Sequence, residues 1–299
     1  VSASNAVAIG GYAGQYVGRS TNATLTTMVG DTAGQYATGS NNTFIGGNAG
    51  KGGTTSAPYS SGTNNVAVGA YAFDGFTTAG ETTVIGYNAG GAITTGIRNV
   101  TVGAYSGDSL TTGTRNVAVG THALGSATTA NLNVAIGQGA MESAAASVAF
   151  EGAIAIGKDA LTGITNTGPN YTVAIGYKSL EALQSSAGNV AIGKHTGKAT
   201  TSGANNVFIG FEAGEAANLD SAVLIGNKAG KALTSATSTI AIGSGALSTH
   251  TTGVRNIAIG HGAMNDTDAG STSLGSTDNI FMGYDAGGGT WTNVACLYN

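Results

Sequence analysis

The sequence predicts an all-β protein that folds as a parallel β-solenoid of about sixteen coils, each near 17 residues long. Two observations lead to this prediction. The phrase Val/Ile-Ala-Val/Ile-Gly recurs along the chain, and its glycines are most often 17 residues apart. The composition is also unusual, with 51 glycines in 299 residues and only 9% charged residues. A unit this short cannot bury a core alone, so neighbouring units must stack.

Each coil can be numbered from the glycine that ends its strand, taken as position 0. Positions −1 and −3 carry aliphatic or β-branched residues, which alternate as one face of a strand does. We predict that these two rows fill the inside of the coil. The strand-end glycines are Gly10, Gly30, Gly46, Gly69, Gly86, Gly103, Gly120, Gly137, Gly157, Gly176, Gly193, Gly210, Gly226, Gly243, Gly260 and Gly283.

Position −2 is alanine in half of the copies and mostly a large apolar residue in the others. If positions −1 and −3 face inward, position −2 faces outward and forms an apolar stripe along the stack. Such a stripe favours burial between copies of the chain, and three copies around an axis would cover it from every side. The predicted trimer interface is Ala8, Phe44, Ala118, Ala135, Ala174, Phe208, Leu224, Ala258 and Phe281.

The rest of each coil carries a small residue at position +3 and a looser apolar row at position +7, as in Ile93 and Leu110. We expect the +7 row to supply the opposite wall of a thin core, in coils of two strands each. Helices are disfavoured because glycine and β-branched residues are too frequent. Sixteen coils at strand spacing predict a rod roughly 75 Å long.

Asparagine stands at position −4 in nine coils. In a stacked solenoid these residues lie above one another, so we predict a ladder of amides that bond to each other and to the turn backbone. A ligand-binding row is the less favoured interpretation. The nine residues are Asn42, Asn65, Asn99, Asn116, Asn133, Asn189, Asn206, Asn256 and Asn279.

The domain prediction is one repeat region over 1–283 and a degenerate last coil, or the start of a following module, over 284–299. Two intervals between glycines are longer, at 23 residues, and place insertions at Lys51–Thr63 and Asn265–Thr277. Insertions in repeat proteins lie in loops, where they either bind ligands or are tolerated without a role. The lone cysteine, Cys296, falls in an aliphatic strand position and is interpreted as a packed thiol.

Composition and charge argue against several partners. The net charge is −4 and no basic run occurs, so we expect no nucleic-acid binding. No stretch approaches the roughly 20 apolar residues of a membrane helix, so we expect no membrane insertion.

Catalytic motifs are lacking, and we predict that the protein is not an enzyme. We assign no catalytic residue, no metal ligand and no cofactor. His122 and His195 share a position but lie four coils apart, about 19 Å along the stack, too far for one metal ion. A carboxylate pair formed by folding would suit a glycosidase, and this stays the minor alternative.

Several aromatic residues follow the strand-end glycine at positions +1 and +2, which are otherwise polar. Exposed rings can stack on sugars, although a single ring more often covers its neighbours. The candidate receptor-contact residues are Tyr71, Tyr87, Tyr105 and Tyr177 at these positions, together with Trp291 farther along the last coil.

The strand phrase in Asn133–Gly137 and the turn phrases in Gly86–Gly90 and Gly120–Leu124 resemble two related groups. One is the head of trimeric autotransporter adhesins of the YadA type; the other is the repetitive shaft of phage tail fibres, some of which end in a self-cleaving chaperone. The adhesin coils are shorter, near 14 residues, so the Thr-Thr-Gly extension of this chain is closer to the fibre shafts. The resemblance implies a left-handed β-roll that assembles as a homotrimer.

The leading functional prediction is therefore a structural and adhesive segment of a phage tail fibre on the virion. Its partners would be copies of itself, other tail or fibre proteins, and a glycan or protein receptor on the host surface. The alternative is the extracellular head of a bacterial trimeric adhesin at the cell surface. A polysaccharide-cleaving tailspike and an ice-binding protein are less favoured, since no acid pair and no regular threonine ranks stand out.

Overall fold

The computed structural model describes residues 5–18, 24–142, 149–165, 168–265 and 276–288. Over these residues it contains sixteen β-strands, one per predicted coil, and no helix. The parallel β-solenoid is thus confirmed. Contacts divide the chain into two compact units, Val1–Gly152 and Ala153–Asn299, with eight strands in each.

Every strand is three residues long. The strands of the first unit are β1 Val7–Ile9, β2 Thr27–Val29, β3 Thr43–Ile45, β4 Val66–Val68, β5 Thr83–Ile85, β6 Val100–Val102, β7 Val117–Val119 and β8 Val134–Ile136. Those of the second are β9 Ile154–Ile156, β10 Val173–Ile175, β11 Val190–Ile192, β12 Val207–Ile209, β13 Val223–Ile225, β14 Ile240–Ile242, β15 Ile257–Ile259 and β16 Ile280–Met282.

Within each unit, consecutive strands pair in parallel with each position opposite its equivalent, as in Val207↔Val223 and Ile209↔Ile225. The strand-end glycine limits strand length. Gly46 has φ +133°, and a Cβ there would lie 2.6 Å from the carbonyl carbon of Gly69 in the next coil. At the neighbouring Gly47 a Cβ would meet nothing within 4 Å. Close stacking of coils therefore requires glycine at position 0.

The predicted second strand of each coil is wrong for the described residues. The chain continues in turns whose backbone groups still bond from coil to coil. For example, Gly90 N donates to Ser106 O at 2.8 Å and Thr94 N donates to Thr111 O at 2.9 Å. These bonds satisfy the backbone without a second regular sheet.

The predicted orientation of the strand faces is also wrong. Position −2, expected to face partner chains, faces the core of the single chain instead. Of the predicted interface residues, Phe44, Ala118, Ala135, Ala174, Phe208, Leu224 and Ala258 have no exposed surface. Ala8 and Phe281 keep some exposure because they lie in the first and last described coils, yet they also border the inward-facing Gly14 and Gly287.

This orientation is explained by the packing of the core, where the side-chain sizes at positions −2 and +4 are complementary. Where position −2 is large, position +4 is glycine: a Cβ on Gly50 would overlap the ring of Phe44. Where position −2 is alanine, position +4 is mostly Leu, Met or Phe, as in Ala118 with the fully buried Leu124. The two positions share one small volume inside the coil, so a large residue at one position goes with a small residue at the other. The +7 row, including Ile93 and Leu110, is buried as predicted.

Positions −1 and −3 consequently form the outer face of the sheet. In the second unit all sixteen of these side chains are Val, Ile or Met. Most are half-buried because stacked neighbours cover their flanks, while residues such as Ile85 and Ile192 are 40% and 37% exposed. No described segment of the chain covers this face, which we call the aliphatic face.

The asparagine ladder is confirmed. All nine residues are fully buried. Asn116 Nδ2 donates to Asn99 Oδ1 at 3.1 Å and to Ala130 O at 2.7 Å, and its own Oδ1 accepts from the backbone N–H of Asn133 at 3.1 Å. Each amide thus links its own turn to the neighbouring coils, so the ladder is structural.

The predicted domain boundary at residue 283 stays a prediction, because 289–299 lie outside the described residues. The same holds for Cys296 and for most of the second insertion.

Candidate functional site: an aromatic and charged surface

Three of the predicted receptor-contact residues join into a continuous strip in the first unit. The rings of Tyr71 and Tyr87 are 6.0 Å apart, and those of Tyr87 and Tyr105 are 5.4 Å apart, both edge to face. Tyr105 then stacks on His122 at 5.1 Å with nearly parallel planes. The coil spacing sets these distances, since equivalent turns stack at the strand repeat.

This strip lies at a turn position where the backbone is strained for ordinary residues. Tyr71, Tyr105 and His122 all stand at position +2 with φ between 57° and 59°. Glycine adopts this conformation without strain and does occupy position +2 in the coil of Gly137. Non-aromatic residues at position +2, such as Asn48 and Glu212, adopt the same conformation, so the positive φ belongs to the turn itself.

The fourth described candidate, Tyr177, lies in the second unit and is surrounded by basic groups. Its ring is 5.4 Å from the ring of His195. The ammonium groups of Lys178 and Lys194 lie 5.7 Å and 5.9 Å from its centroid, within the range of cation–π attraction. The described contacts of Tyr177 are thus with groups of its own unit. Trp291 lies outside the described residues.

Sequence reasoning missed a further aromatic cluster in the first unit. Tyr16 and Tyr36 share position +6 and stack at 5.3 Å, and Tyr59 from the first insertion lies 4.6 Å from Tyr16. The signal was present in the repeat, because two tyrosines at one position on successive coils must be neighbours. The contribution of Tyr59 depends on the path of the insertion, which the repeat does not specify.

A ladder of alternating charges runs along position +5 in the second unit: Glu181, Lys198, Glu215 and Lys231. It borders a surface groove of about 850 Å³ whose floor consists of alanines at position +6. Lys198 Nζ lies 3.9 Å from Glu181, and Lys231 Nζ lies 3.2 Å from Glu215. The floor is formed by Ala182, Ala199, Ala216 and Ala232.

Folding also gathers a group that the sequence did not indicate, formed by His195, Glu212 and Glu215. Their ligand atoms lie within 4.8 Å of one another, which is near the spacing of a metal site. However, the ammonium of Lys231 is 2.6 Å from Glu212 and contacts Glu215 as well. This hydrogen bond lowers the pKa of Glu212 and raises the pKa of Lys231. The cation that these carboxylates bind is therefore a lysine of the same chain, and we assign no metal to them.

The search for relatives was negative: no protein-family model and no curated protein sequence matches this chain. Within the described part of the chain there is no helix of the length and apolarity needed to cross a membrane.

Proposed function

We propose that this chain is a self-associating adhesive segment of a phage tail fibre, in which three copies pack through their aliphatic faces. The observation that carries the proposal is the aliphatic face itself. Soluble monomers rarely expose continuous apolar surfaces larger than a few hundred Å². Here two adjacent rows of Val, Ile and Met extend over the eight strands of the second unit. In the first unit the corresponding rows are Val and Ile except at Thr27, Thr43 and Thr83.

Packing of three copies suits the shape of these side chains. Stacked β-branched residues form a flat, rigid surface that loses little side-chain entropy on association. Around a threefold axis each aliphatic face is buried against both partners. The resemblance of the strand and turn phrases to tail-fibre shafts supports this stoichiometry and the location on the virion.

The interface can be tested by placing a charge on the aliphatic face. We expect Ile192→Lys to dissociate the assembly into monomers, because three ammonium groups would be desolvated close to one another. Light scattering gives the mass, and circular dichroism gives the fold. Ile192→Val is the matched control and should leave both unchanged. A variant Ile192→Lys that keeps the parent mass and fold would rule out this face as the interface.

The location can be tested with antibodies raised against the folded protein. We expect them to label fibres on phage particles from the producing culture in electron micrographs. Labelling of the bacterial surface with unlabelled particles would instead support the adhesin alternative and contradict our proposal. Pre-immune serum provides the control.

A further inference from the structure

Four successive coils of the second unit present an alternating row of ammonium groups and aromatic rings. At position +1 the residues are Lys158, Tyr177, Lys194 and Phe211. Neighbouring coils are separated by the strand spacing, so like groups recur about every 9.6 Å, two strand spacings apart. Tyr177 and Phe211 are 39% and 38% exposed, so parts of both rings are open to solvent.

Lys194 is the centre of this row. Its Nζ lies 5.9 Å from the centroid of Tyr177 and 5.7 Å from that of Phe211, between the two rings. Two other lysines of this unit are neutralised: Lys178 by Glu181 at 2.6 Å, and Lys231 by Glu212. By contrast, no carboxylate among the described residues lies within ion-pair distance of Lys194 or Lys158.

We infer that this row binds an anionic polysaccharide in which an acidic sugar alternates with a neutral one. The inference rests on the proposed attachment function and names its ligand class. The repeat of such a polymer is two sugars, which is of the same order as two coils. Each carboxylate would meet an ammonium, and each intervening sugar would lie on a ring through its apolar face. Three copies in one assembly would add avidity to a weak single contact.

A single-stranded nucleic acid is disfavoured at this surface. It carries a phosphate on every residue, whereas only every second coil of the row offers a cation.

The test measures binding of the assembled full chain to four immobilised polymers by biolayer interferometry. Hyaluronan has the alternating acid, polygalacturonate has an acid on every sugar, dextran is neutral, and oligothymidylate represents nucleic acid. We expect the tightest binding to hyaluronan, none to dextran, and weakening as salt is raised. Lys194→Gln should weaken hyaluronan binding about tenfold, equivalent to the loss of one charge-assisted contact. Phe211→Ala should weaken it as well.

Lys228→Gln is the matched control, since Lys228 is exposed in the same unit but lies outside the row. It should bind hyaluronan as the parent does. Equal binding to polygalacturonate or oligothymidylate, or equal loss in both lysine variants, would overturn the inference. Light scattering on the same samples separates the two proposals: an intact trimer that fails to bind hyaluronan removes this inference alone, and a monomer that binds removes the proposed assembly alone.

Discussion

Replacing Phe208 with aspartate is expected to abolish folding of the chain. Phe208 has no exposed surface, and it lies between Ala191 and Leu224 in the stacked −2 row. A Cβ on Gly197 or Gly214 would lie 2.8 Å or 3.3 Å from its ring, so both glycines pack closely against the phenylalanine. Removal of a buried phenylalanine costs about 3–5 kcal/mol, and the buried charge adds to this. The total is comparable with the whole stability of a typical domain.

The adjacent residue provides the control for this experiment. Ile209 stands on the aliphatic face, so Ile209→Asp should fold normally, with the strand signature in circular dichroism, but should not assemble. Chemical denaturation and light scattering together distinguish the two variants. A folded, monomeric Phe208→Asp together with an unfolded Ile209→Asp would show that the strand faces are oriented the other way.

The second large loss of stability is expected when the asparagine ladder is altered. Asn189 donates from Nδ2 to Gly203 O at 2.8 Å, and its Oδ1 accepts from the backbone N–H and the side-chain amide of Asn206. In Asn189→Asp the donor is lost and a carboxylate faces a carbonyl oxygen in a fully buried site. We expect the free energy of unfolding to fall by about 3 kcal/mol or more at neutral pH.

The pH dependence of this loss has a definite sign. Burial raises the pKa of the new carboxyl in the folded state above its value in the unfolded chain. The variant should therefore regain stability as the pH falls, because the protonated form restores a donor. Asn227→Asp, at an exposed turn position, should change stability little. Equal effects at both sites, measured by urea denaturation at two pH values, would contradict a structural ladder.

Much of the fold could be predicted because the repeat determines which residues are neighbours. The strand phrase predicted the positions of all sixteen strands, and the nine asparagines at one coil position predicted a ladder. The orientation of the strands could not be derived from alternation, since a three-residue strand that is apolar on both faces fits either way. What decides it is the space inside the coil, where Phe44 lies against Gly50 and Ala118 is paired with Leu124.

That size relationship between positions −2 and +4 is visible in the sequence and would have indicated the inward row. The group of His195 with Glu212 and Glu215 is a different case. Its members occupy positions +2 and +5 of adjacent coils, so only the stacking of turns brings them together. The aromatic strip depends on the same stacking of turns. From the sequence alone, isolated rings cannot be distinguished from rings that contact one another.

The mass of the unmutated chain in solution tests the central claim of self-association most directly. Multi-angle light scattering at micromolar concentration should give three times the chain mass of 29.0 kDa. The value should persist on dilution, since the proposed assembly would bury the aliphatic face of each copy. A stable, soluble species of 29.0 kDa would contradict the account.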